Sequence, residues 1–223
     1  MSGRLLHVVV VALSVVACGT DPAPRAAVPQ VVTPAVPVEQ GFKVVVLGDS
    51  ITAGLGLPVD QAFPAVAEAT LKGEGLELSI QNAGVSGDTS TAGASRVDWL
   101  LKQRPDVLVV ELGGNDMLRG QPVDVTRARL LEIVTAGQSA GATVVLLGIT
   151  APGSMGPAHK TAFDALYGEV SAESGATLVP DFLGPLMDRP ELIQGDGLHP
   201  TAEGQKLLAS RLVSALRPLV PKR

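Results

Sequence analysis

The sequence predicts an α/β protein built on a parallel sheet, and two observations predict it. Short apolar runs recur at residues 44–47, 76–80, 107–112, 144–149 and 176–179, and stretches of helical character at 64–72, 92–103, 125–139, 161–173 and 201–216 separate them. Parallel strands need a crossover between neighbours, and a helix after each strand supplies it. The first run, Val44 to Leu47, is β-branched and empties into the turn Gly48-Asp49-Ser50. The helix at 64–72 stops at Gly73, and the second run leads into Asn82-Ala83-Gly84-Val85-Ser86-Gly87-Asp88-Thr89. The third run ends in Glu111-Leu112-Gly113-Gly114-Asn115-Asp116. Gly141 and Gly175 close the next two helices, where a residue free to take positive φ is favoured. Pro200 suits the first turn of the last helix.

The first residues have a different character. Arg4 precedes an apolar stretch from Val8 to Val16, interrupted only by Ser14 and too short to cross a bilayer as a stable helix, so residues 1–17 are expected to be a secretory signal. That stretch runs into Val15-Val16-Ala17-Cys18, which resembles the lipobox of bacterial lipoproteins, in which the cysteine is acylated and becomes the mature N-terminus. A plain signal cleaved nearby, with Cys18 incidental, is the alternative. Cys18 is the sole cysteine, so no internal disulfide can form. Residues 18–41 are dense in Pro, Ala and Val without an aromatic residue, as expected of an extended tether. The roughly 180 residues from 42 to 223 suit one domain with its own core.

The net charge of −5, which becomes −6 without residues 1–17, gives no footprint for nucleic acid and no electrostatic attraction to anionic lipid. Membrane association is expected only through an acylated Cys18. A single acyl chain binds marginally and several bind firmly.

Four loops carry residues with chemistry. Ser50 lies at the carboxyl end of the first strand, where open α/β sheets bind ligands, and can be presented as a nucleophile; by itself the tripeptide also fits a capping turn. Gly84 lets backbone approach a ligand or simply makes a turn, and Asn115 offers a side-chain amide or a helix cap. In Asp196-Gly197-Leu198-His199, a carboxylate three residues before an imidazole can fix its tautomer and stabilise its cation, or make a structural hydrogen bond. His7 belongs to the signal and His159 falls in a polar loop, which leaves His199 as the base. Together these are a nucleophile, an oriented base and oxyanion donors, each at the end of a different strand or in the loop after it.

The stretches GDSITAGLGL from Gly48, NAGVSGDTSTAG from Asn82, ELGGNDMLRG from Glu111 and DGLHPTAEGQ from Asp196 resemble the SGNH hydrolases, also called the GDSL esterase/lipase family. Within it the chain is most similar to the periplasmic acyl-CoA thioesterase I/lysophospholipase/arylesterase group. The resemblance implies a flavodoxin-like three-layer α/β/α sandwich with a five-stranded parallel sheet in the order 2-1-3-4-5. It implies Ser50 as nucleophile, His199 as base, Asp196 as its partner, and the Ser50 amide, Gly84 and Asn115 as oxyanion donors. Thr52, two residues after Ser50, stands where the Gly-x-Ser-x-Gly elbow of the larger α/β-hydrolases has glycine, which speaks against that fold.

Activity is expected to rise through neutral pH, since a free imidazole titrates near ~6.5. Asp49 and Asp116 are expected to tie loop amides rather than do chemistry. No metal-binding spacing such as His-Glu-x-x-His occurs, and no cofactor is expected. Family relatives act on aryl esters, thioesters and lysophospholipids in a shallow apolar groove, for which Leu57, Val59, Leu118 and Ile149 are candidates alongside ordinary packing roles. The partner is then a small-molecule ester or lipid. A carbohydrate O-acetylesterase on the same fold and a noncatalytic ligand-binding lipoprotein are the alternatives.

Overall fold

The computed structural model describes residues 41–222; the expected signal, Cys18 and the tether apart from Gly41 lie outside the described residues. Five strands, β1 (Phe42–Gly48), β2 (Leu78–Gly84), β3 (Val107–Glu111), β4 (Thr143–Leu147) and β5 (Thr177–Val179), pair in parallel in the order β2-β1-β3-β4-β5. Among the described residues seven α-helices accompany them: α1 (Ser50–Ala53), α2 (Phe63–Gly73), α3 (Ser90–Leu101), α4 (Gly114–Leu118), α5 (Val123–Ser139), α6 (Pro157–Ser174) and α7 (Ala202–Leu216).

The valine-rich strands are apolar at successive positions because both faces of the sheet are covered. Val44, Val46, Val107 and Val109 pack with Phe63, Leu71, Leu208 and Leu212 of α2 and α7. Val45, Leu47, Leu108 and Val110 pack on the other face with Leu100, Leu130, Ile133 and Phe163 of α3, α5 and α6. The two apolar layers and the sheet between them give the expected three-layer sandwich. β2 lies on one side of β1 and β3 on the other, so the loops leaving β1 and β3 diverge and open a crevice at the carboxyl edge.

Several boundaries differ from the sequence expectation. Leu76 and Glu77 precede β2, with the Leu76 amide returning to Leu71 O, and Asn82-Ala83-Gly84 are the last residues of the strand rather than a loop after it. α6 begins at Pro157, so His159 and Lys160 belong to its first turn and not to a loop. A short helix, α4, forms where only a loop was expected, and Asn115 lies inside it behind the cap residue Gly113. Gly75, not Gly73, takes the left-handed conformation after α2.

Candidate active site

β1 delivers Ser50 to the crevice through a turn with no spare room. A Cβ on Gly48 would stand 2.0 Å from Thr52 Oγ1 and 3.0 Å from Glu111 O, so the last residue of the strand must be glycine. The Asp49 carboxylate caps α1 by accepting from the Ile51 amide at 2.9 Å. Gln205 of α7, almost fully buried, locks the same turn from behind: its Nε2 donates to Ile51 O at 3.0 Å and its Oε1 accepts from the Phe63 amide at 2.8 Å.

His199 Nε2 lies 2.9 Å from Ser50 Oγ, and His199 Nδ1 lies 2.6 Å from Asp196 Oδ2. The turn holds itself together, because Asp196 Oδ1 also accepts from the Leu198 and His199 amides at 2.9 and 3.0 Å. The imidazole bond, then these two amides, depress the Asp196 carboxyl to about 2. Although the Asp196 side chain is half exposed, it stays ionised wherever an esterase works. Gln194 braces the loop: its amide donates to His199 O at 2.7 Å, and its Nε2 to Leu55 O and Pro200 O, each at 2.8 Å.

Asn115 Nδ2 donates to Asp49 Oδ2 at 2.9 Å, which leaves its second N–H for the crevice. The Ser50 amide donates to no group among the described residues. Gly84 corrects the sequence expectation: its amide already donates to Asn82 Oδ1 at 2.9 Å. The glycine is required for close packing, since a Cβ there would lie 2.3 Å from the Ala53 amide nitrogen. Gly87, in the same segment, has φ +87°, and its amide donates to nothing among the described residues. Its carbonyl accepts from Arg119 at 2.8 Å, which ties it to the residue following α4. Reading the segment as sequence cannot separate these two glycines, because the choice depends on where the Asn82 side chain turns.

Asp116 is structural, as expected: fully buried, it accepts from the Ser90 amide at 2.8 Å and the Ser90 hydroxyl at 2.5 Å. His159 stacks on Phe163 and does not line the cleft. A cleft of about 510 Å³ opens beside Ser50, walled by apolar side chains that include Met117, Ile149, Leu183, Leu186 and Ile193. Of the four expected groove residues, Leu118 and Ile149 line it. Leu57 and Val59 do not, because the chain after α1 turns away through a 3-10 turn at Val59–Gln61 that leaves Val59 on the surface. The sequence reading missed the half of the wall that comes from the irregular stretch between β5 and α7. Among the described residues no group of three or more His, Cys, Asp or Glu side chains could hold a metal ion.

The model of the GDSL-like lipase/acylhydrolase family matches residues 46–207. The chain belongs to that family. Esterase TesA of Pseudomonas aeruginosa, one relative, is 39% identical over 176 residues, covering 78% of this chain and 88% of that protein. Thioesterase 1/protease 1/lysophospholipase L1 of Escherichia coli K12 is 36% identical over 176 residues, covering 78% and 83%. A crystal structure of TesA matches with a TM-score of 0.77 at 38% identity, over 80% of this chain and 99% of that one. As a GDSL-family hydrolase, this chain is a serine esterase.

Proposed function

We propose that this esterase cleaves aryl esters and lysophospholipids, and acyl thioesters where it meets them, with Ser50 as nucleophile, His199 as base and Asp196 as its orienting carboxylate. The observation that carries the reading is the unbroken relay of 2.9 and 2.6 Å from Ser50 Oγ through His199 to Asp196. His199 Nε2 takes the Ser50 proton as Oγ attacks the carbonyl carbon, and the oxyanion accepts from the Ser50 amide, the Gly87 amide and Asn115 Nδ2. When the intermediate collapses, the imidazolium protonates the leaving oxygen or sulfur and the acyl group stays on Ser50. Water, deprotonated by His199, then releases the acid.

The apolar wall favours an acyl chain longer than acetyl. Each methylene buried there contributes about 0.8 kcal/mol, a factor of about four in kcat/KM until the wall is filled. A carbohydrate O-acetylesterase would draw nothing from that wall. Under this reading the protein is exported, residues 1–17 are removed, and an acylated Cys18 holds domain 42–223 to a membrane through residues 18–41. Placed there, it meets exported esters and lysophospholipids rather than cytoplasmic acyl-CoA. Among the described residues no helix is long and apolar enough to cross a membrane.

A series of p-nitrophenyl esters from acetate to decanoate, run on the wild type and Ser50→Ala, tests the chemistry. Rates rise beyond acetate in the wild type and vanish in the variant, which also loses fluorophosphonate labelling. Hydrolysis by Ser50→Ala at the wild-type rate would end the proposal, and so would absence of labelling in the wild type, as expected of a noncatalytic binding protein. Palmitate incorporation that persists without Cys18 would end the lipoprotein reading.

A further inference from the structure

Behind the oxyanion loops the molecule buries two carboxyl groups against each other. Glu111, the last residue of β3, is fully buried, and Asp49 is 3% exposed. Gly48, the neighbour of Asp49, is paired with Glu111 across β1 and β3, which sets the two carboxyl groups side by side and makes each perturb the other. Glu111 Oε2 accepts from Thr52 Oγ1 at 2.7 Å, whereas Glu111 Oε1 has no donor among the described residues. Two carboxylates offer only acceptors to one another, so the contact closes only if one of them carries a proton.

Donors decide which one. The Asp49 carboxylate receives two donors, the Ile51 amide on Oδ1 and Asn115 Nδ2 on Oδ2, each at 2.9 Å, while the Glu111 carboxyl receives one, the Thr52 hydroxyl. A proton on Glu111 gives Asp49 a third donor and gives the orphaned Oε1 a partner. Burial, and then the charge on Asp49, push the Glu111 carboxyl well above its ordinary value. Burial lifts Asp49 less, to about 6.

We infer that Glu111 holds the shared proton and donates it to the Asp49 carboxylate, and that this pair positions Asn115 for oxyanion binding. The inference rests on the proposed role of Asn115. An amide presents nearly the same shape through its nitrogen and its oxygen. A carboxylate can only accept, so an ionised Asp49 admits only the Nδ2 side of Asn115 and turns the remaining N–H to the crevice. If the proton sat on Asp49 instead, its hydroxyl could donate to Asn115 Oδ1 and turn the amide oxygen against the developing negative charge. Asp49 and Glu111 are therefore positioning residues. The other titratable or charged groups around them are His199 and Asp116, Tyr167 on α6, and Arg96 on α3, whose guanidinium donates to Gly48 O at 3.0 Å.

The test uses the full chain and a p-nitrophenyl ester, with kcat, KM and the pH profile read separately and folding checked by circular dichroism. Asn115→Ala sets the scale, at about 10²- to 10³-fold in kcat for a lost oxyanion donor. Asp49→Asn, which can bond Asn115 either way round, lowers kcat at least tenfold with KM within twofold, and adds nothing once Asn115 is alanine. Glu111→Leu lowers kcat in the same way. Glu111→Gln, whose amide can donate to Asp49 and accept from Thr52 as the protonated acid does, restores it to at least a third of the wild type. It also lacks the alkaline decline that follows loss of the shared proton. Glu111→Gln as impaired as Glu111→Leu, or an effect of Asp49→Asn undiminished in the Asn115→Ala background, would overturn the inference. A fully active Asn115→Ala would instead overturn the oxyanion role itself.

Discussion

Raising the pH from 4.5 to 7 lowers the stability of this protein through Asp49 alone by about 2 kcal/mol. Burial lifts that carboxyl from 3.8 to about 6. An acid with a raised folded pKa binds its proton more tightly in the native state. The stabilisation is fully present below the unfolded value and disappears as pH climbs through the folded one. About 1.5 pH units of that window lie above pH 4.5, and at about 1.4 kcal/mol per unit they give the figure stated. The depressed carboxyls act the other way: Asp196, held near 2 by His199, and Glu74 and Glu191, lowered chiefly by the Arg217 side chain and by a backbone amide respectively, lose their contribution only toward the acid side of their ordinary values. Urea unfolding followed by circular dichroism reads the difference. With a slope of about 2 kcal/mol per molar, the midpoint falls by about 1 M between pH 4.5 and pH 7, and Asp49→Asn falls less. A wild-type midpoint that stays level or rises over this range would refute the reasoning.

Two further changes probe the scaffold behind Ser50. Gly84→Ala drives a methyl into the Ala53 backbone and displaces α1, so both melting temperature and kcat fall; unchanged activity with unchanged melting would show that the strand end yields freely. Gln205→Leu leaves the Phe63 amide without its partner, at about 1–3 kcal/mol for that buried group, and takes one of two donors from the Ile51 carbonyl, which keeps the Gly54 amide; thermal unfolding reads the loss.

The sandwich was legible because the central strands β1, β3 and β4 are short apolar runs covered on both faces and every crossover carries helical spacing. The strand order was a different matter: periodicity does not specify which strand neighbours which, and the order came only from the resemblance carried by the four motifs. Asp196 and His199 were readable because a three-residue spacing fixes their contact within one turn. Asp49 with Glu111, and Gln205 with Ile51 and Phe63, were not, because each contact joins distant segments. The role expected of Gly84 was misplaced because sequence reports which residues are glycine and not which amide is already engaged. Pro157 is an instance of a signal present and overlooked, since proline at the first helical position marks where α6 begins.

β1 runs from Phe42 to Gly48, toward Ser50, so the preceding chain joins the sheet at the end away from the cleft. An anchor at Cys18 would thus grip the molecule from the side opposite its mouth. Roughly two dozen residues reach about 70 Å at full polyproline extension. A domain of some 180 residues is about 40 Å across, and its half-girth is about 65 Å. Under the proposed lipoprotein reading, a leash of that length would just let the enzyme turn over and graze the surface holding it, and a deletion of ten residues would leave the mouth facing outward while activity on soluble esters stayed intact.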